Sequence, residues 1–137
     1  MAFEAEQGAW PVSGRSGHWG EGETDEVRFW EHENIVKMDA ETDRGFDWIA
    51  IELSNANGTP LTTGTYSDVR NRQFHPEGPG ILVISNGFGC GEDYASFTIS
   101  RIDRDESGTL TALDASVEQR CGDPAGPAFH ARLHYVA

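Results

Sequence analysis

The chain is 137 residues long, enough for one domain (1–137) with its own core and too short for two, and only 37% of it is hydrophobic. Twenty-three acids against ten bases give a formal charge of −13 spread along the chain, which repels phosphates and excludes nucleic acid as a natural partner. No run of about 18 apolar residues occurs, so no membrane insertion is expected, and Met1-Ala-Phe-Glu lacks the basic and apolar regions of a signal peptide.

Sixteen glycines and the lack of helix-favouring runs point to short strands joined by turns. Residues 3–7 alternate apolar and acidic, which predicts a first strand. Residues 12–22 carry Gly14, Gly17, Gly20 and Gly22 and read as a loop, with Trp10 just before it and Trp19 within it as aromatic anchors. Alternation through Val27, Phe29 and Glu31, and again over residues 34–39, predicts two strands. Residues 46–53 form the most apolar window, with Trp48 opposite Ile49, Ile51 and Leu53, and are expected to be a central strand buried on both faces.

Asn57-Gly58 marks a turn, Gly64-Thr-Tyr66 opens an extended piece, and the prolines of residues 73–80 enforce a loop. A clean apolar strand follows over residues 80–85, closed by Asn86-Gly87. Residues 94–103 and 109–121 alternate at period two, with a parity slip between Leu110 and Leu113 that predicts a β-bulge. The last strand, residues 128–136, sets Phe129, Ala131, Leu133 and Tyr135 against His130, Arg132 and His134. Eight or nine strands without a helical period predict an all-β fold, an antiparallel sandwich or jelly roll, with a closed barrel as the alternative.

Cys90 and Cys121 sit in glycine-bearing turns and are expected to form one disulfide, the alternative being two buried thiols. Neither belongs to a Cys-x-x-Cys pair, which argues against zinc.

The order of several short motifs resembles a group of uncharacterised bacterial exported β-sandwich modules. They are Glu6-Gln7-Gly8-Ala9-Trp10, Leu61-Thr-Thr-Gly64-Thr-Tyr66, Gly87-Phe-Gly89-Cys90, Ser96-Phe97-Thr98-Ile99, and Ala115 to Cys121 followed by Ala128 to Tyr135. The resemblance spans most of the chain. It implies an exported, non-catalytic module whose two cysteines are bridged, and it implies no site residues.

Asp103-Arg-Asp105-Glu106-Ser-Gly108 is an acid-dense turn of the kind that wraps a calcium ion, so Asp103, Asp105 and Glu106 are the candidate metal ligands. The same residues are what a tight hairpin needs for its backbone angles. His130 and His134 fall on one face of a strand, roughly 13 Å apart, too far for a shared ion. No Gly-x-Ser-x-Gly or unpaired cysteine suggests a nucleophile, and no enzyme activity is expected. Trp10 and Trp19 are the candidate ligand-binding residues, because an indole at the rim of a β-sheet domain offers a large apolar area at low entropy cost. The functional expectation is a non-catalytic extracellular or cell-surface module binding a protein or glycan partner without a cofactor. The alternatives are a self-associating subunit of a filament, coat or virion decoration, and a small hydrolase or isomerase.

Overall fold

The structure, a computed structural model, describes residues 1–18, 25–42 and 47–137. The described residues form eleven strands: β1 Ala2–Ala5, β2 Ser16–His18, β3 Asp25–His32, β4 Ile35–Thr42, β5 Trp48–Ser54, β6 Gly64–Asn71, β7 Gly80–Ser85, β8 Phe88–Gly89, β9 Asp93–Arg104, β10 Leu110–Cys121 and β11 Ala128–Val136. A short 3-10 turn at Ala56–Gly58 is the one helical element among them. Among the described residues no helix is long and apolar enough to cross a membrane.

The turn chemistry placed most of the strands. Glu33 and Asn34, both at positive φ (52° and 64°), close the β3–β4 hairpin, and Asn86-Gly87 (51° and 86°) closes β7 onto β8. Asn57 sits at φ 55° in the 3-10 turn, where Asn-Gly was expected to bend the chain. The bulge foreseen near Leu110 is present as a register shift between Leu110 and Ala112 against β9, and a second shift follows between Asp114 and Ala115. The loop expected over residues 12–22 contains an extra strand, since β2 pairs with β1.

All the strands belong to one sheet, ordered β2-β1-β11-β10-β9-β6-β7-β5-β4-β3 with β8 beside β7. The all-β expectation therefore holds, but the sheet is continuous and curled into a half-barrel in place of two separate sheets. The curl turns at β6. Its first part, Gly64 to Tyr66, pairs antiparallel with β9, and its last part, Arg70 and Asn71, pairs parallel with β7. Between them the register shifts, and Asp68 adopts φ 53°. Gly80 permits the parallel contact, because a Cβ there would stand 2.5 Å from the Arg72 Cβ and 2.6 Å from the Ser54 Oγ.

The inner faces of the two arms make one core. Met38, Ile49, Ile51, Leu53 and Ile81 come from one arm and Phe97, Ile99, Leu113 and Phe129 from the other, all with almost no exposure. β5 is interior to the sheet, between β4 and β7, but is fully buried on one face only. Trp48, Ala50 and Glu52 are half-buried on the other, where Glu52 pairs with Lys37 (3.1 Å) and Arg72 (2.9 Å). The expectation of a strand buried on both faces is corrected accordingly: an ion-pair row covers the outer one.

Side chains clasp the arms together. Phe29 on β3 stacks on Tyr135 of β11 at 5.2 Å. Glu31 accepts two 2.6 Å bonds from Arg104, whose guanidinium also donates to the Leu61 carbonyl.

Candidate functional site

The part of the half-barrel that carries the disulfide also carries the exposed aromatic side chains Trp10, Phe74 and Phe88. Cys90 and Cys121 are bonded with Cα atoms 5.9 Å apart, joining the segment after β8 to the end of β10. After β1 the chain turns back on itself, with the amides of Ala9 and Gly14 each donating to the Glu6 carbonyl at 3.0 Å. Ala9 and Val12 are buried and fix this turn to the core. The Trp10–Pro11 peptide in it is cis.

This anchoring leaves the Trp10 ring outside, 44% exposed, with its indole N–H donating to the Gly89 carbonyl at 2.8 Å. Phe88, 56% exposed, meets it edge-on at 5.2 Å. Phe74 is exposed beside Gly91, its ring 3.8 Å from that residue's Cβ position. Three aromatic rings thus flank the segment 88–91. The Trp10 side of the pair is held by its hydrogen bond, and the disulfide lies two residues beyond Phe88.

Beneath this surface lies a buried polar knot. Asp93 is fully buried and accepts from Asn71 Nδ2 (3.0 Å) and Gln119 Nε2 (2.9 Å). Asn71 Nδ2 also donates to the Cys90 carbonyl at 2.9 Å, and Gln119 Nε2 reaches the Trp10 carbonyl at 3.4 Å. Burial pushes the Asp93 carboxyl above the ordinary aspartate range, against the two amide hydrogen bonds and Arg70, which favour its charge. Gln119 Oε1 has no partner among the described residues.

On the outer face, a cleft of about 420 Å³ opens between β6, β9 and β10 and is rimmed by Pro124. Arg70 lies over the Tyr94 ring at 4.3 Å and donates through Nε to the Asp93 carbonyl at 2.8 Å. Arg120 donates to the Gly126 carbonyl and pairs with Glu118. A second cleft of about 370 Å³ lies against β1, β10 and β11, around His130 and Arg132.

Of the residues expected to bind a ligand, Trp10 is exposed as described and Trp19 lies outside the described residues. Asp105 Oδ1 accepts from the Ser107 amide and hydroxyl and from the Thr109 amide, which holds its carboxyl below the ordinary range. Asp103 is bonded to Arg101 at 2.8 Å, and Glu106 is exposed. These acids thus serve the β9–β10 hairpin and its flank, and the described residues hold no group of three or more metal-ligating side chains. His130 and His134 project outward from β11 on either side of Arg132, and His134 pairs with Asp114.

Sequence reasoning missed Phe88, Phe74, Arg70 and Tyr94. The aromatic next to Asn86-Gly87 was a usable signal for Phe88, because a residue following a two-residue turn is often at an edge. Nothing local marks Arg70, whose setting depends on β6 switching partners.

Scans against known protein families, curated proteins and solved structures each returned no match.

Proposed function

We propose that this is a non-catalytic binding module of the extracellular space or cell surface that engages a protein or glycan partner through the Trp10–Phe88 surface. The observation that carries the reading is an exposed aromatic pair beside the disulfide, in which the Trp10 ring is held by the bond from its indole to Gly89 and meets Phe88 edge-on. A fixed ring loses little entropy on binding and presents apolar area for stacking on a sugar or filling a partner's pocket. The disulfide agrees with an oxidising compartment, which is also what the resemblance to exported modules implies. We read the curled sheet as a sandwich whose sheets are joined through β6. Tyr66 supports this, since its hydroxyl bonds the backbone of Thr62 four residues upstream, in the manner of a tyrosine corner.

A glycan array with Trp10→Ala and Phe88→Ala tests the reading. Both side chains are about half exposed, so each substitution should cost roughly 1 kcal/mol of stability and leave the fold intact. Glycans that bind the wild type and are lost with both variants support the aromatic surface; binding that survives both removes it.

The assembly reading has one observation of its own. β3 ends the strand order, is eight residues long, and exposes Trp30. Light scattering over a dilution series tests it: a mass that stays above one chain at low concentration favours assembly, and a monomer throughout removes it.

A further inference from the structure

We propose that the outer-face cleft between β6, β9 and β10 binds a sugar bearing a single carboxylate, a hexuronate or sialate unit of an otherwise neutral glycan, with Arg70 taking the carboxylate. This site is separate from the Trp10–Phe88 surface and does not depend on it.

The argument begins with the placement of cations on a strongly acidic protein. Arg15, Arg72, Arg101, Arg104, Arg120 and Lys37 each pair with a carboxylate side chain. Arg70 does not. Its Nε is spent on the Asp93 carbonyl and its face on Tyr94, which leaves the two terminal nitrogens without a partner among the described residues. The Asp93 carboxyl, whose charge Arg70 favours, is buried and already occupied by Asn71 and Gln119. A guanidinium locked by a stack and one hydrogen bond is organised in advance for bidentate recognition of a carboxylate.

The remaining walls suit the body of a sugar. Ser96, Asp68 and Glu118 supply hydroxyl and carboxylate groups, and Arg120 supplies N–H donors. Sugar hydroxyls both donate and accept, so they need acceptors and donors side by side. At about 420 Å³ the cleft falls within the ordinary range of small-molecule sites, about 300–1,000 Å³. Asp68 and Glu118 also set the charge of the ligand. They would repel a phosphate dianion or a run of acids, while one carboxylate on a neutral body satisfies the one cation lining this cleft that pairs with no carboxylate side chain among the described residues.

The test is an NMR titration of the intact, disulfide-bonded protein. The probes are glucuronate, galacturonate and N-acetylneuraminate, each beside its methyl ester, together with glucose and inorganic phosphate. At least one acid sugar should shift the amides of Tyr94, Ser96 and Arg120 saturably. Its methyl ester should bind at least tenfold more weakly, and so should the acid sugar to Arg70→Gln, with Arg70→Lys recovering part of the loss. Ser96→Ala, which leaves the Arg70 contacts alone, should weaken binding severalfold, and Trp10→Ala should leave it unchanged. The ester comparison needs no variant, so it stands even if Arg70→Gln unfolds. Absence of saturable shifts with all three acids, equal binding of acid and ester, or phosphate binding as tightly as the acids would each overturn the proposal.

Discussion

Asp93 shows how one side chain can bind together the aromatic surface and the sheet beneath it. Its carboxyl receives amides from β6 and β10, and those amides in turn touch the carbonyls of Cys90 and Trp10. Burial raises its pKa in the folded state, so the unfolded chain releases this proton at lower pH than the folded one does. The associated stability is complete below the ordinary aspartate pKa, near 3.9, and is lost as pH rises through the folded value. Asp93→Asn removes the titration while exchanging one acceptor for a donor, a cost independent of pH. Urea melts of both proteins across mildly acid to neutral pH should show the variant gaining on the wild type as pH rises. A constant difference would mean that Asp93 titrates alike in the folded and unfolded states.

At the scale of elements, the disulfide links the segment just after β8 to the end of β10 across a sequence separation of 31 residues. On the chain-entropy account, closing such a loop contributes about 3 to 4 kcal/mol by restricting the unfolded chain. Cys90→Ser combined with Cys121→Ser should lower the unfolding free energy accordingly and steepen the denaturant slope, because the uncross-linked unfolded chain exposes more surface, and a loss below about 1 kcal/mol would contradict that account. The elements themselves were largely legible in the sequence. Residues 94–103, 109–121 and 128–136 alternate because one face is in the core, and they became β9, β10 and β11. Residues 46–53 misled, because apolar content alone does not reveal that Glu52 would sit in an ion-pair row with Lys37 and Arg72. β2 was hidden by Gly17 and the glycines of the segment around it, and the parallel contact of Arg70 with Gly80 has no local signature at all. For the site, Trp10 could be found from composition and position. Arg70 and Tyr94 could not, since their meeting follows from pairings between distant segments.

At the scale of the molecule, the half-barrel depends on what holds its arms against each other. The Glu31–Arg104 pair is well placed to do so, with the Glu31 side chain only 7% exposed. Hydrogen bonding to Glu31 is also the main reason that the Arg104 pKa is raised. Arg104→Met leaves a nearly buried carboxylate uncompensated, which should cost about 3 kcal/mol. The double variant Arg104→Met with Glu31→Leu should recover most of that loss in thermal or urea melts. If the two changes simply add, the clasp is not a coupled pair.

The place of β1 in the sheet bears on how the chain comes to be folded. β1 lies between β2, a partner of three residues, and β11, far along the sequence at Ala128–Val136. A chain emerging from the ribosome therefore carries β1 with only the three residues of β2 to pair against until residues 128–136 have been translated. The arm built on β9, β10 and β11 is assembled late and receives the early segment into its edge as a final step. Folding by this route joins regions at opposite ends of the sequence, which is slow among small domains, and it leaves an unpaired apolar edge in the nascent chain for a chaperone to cover.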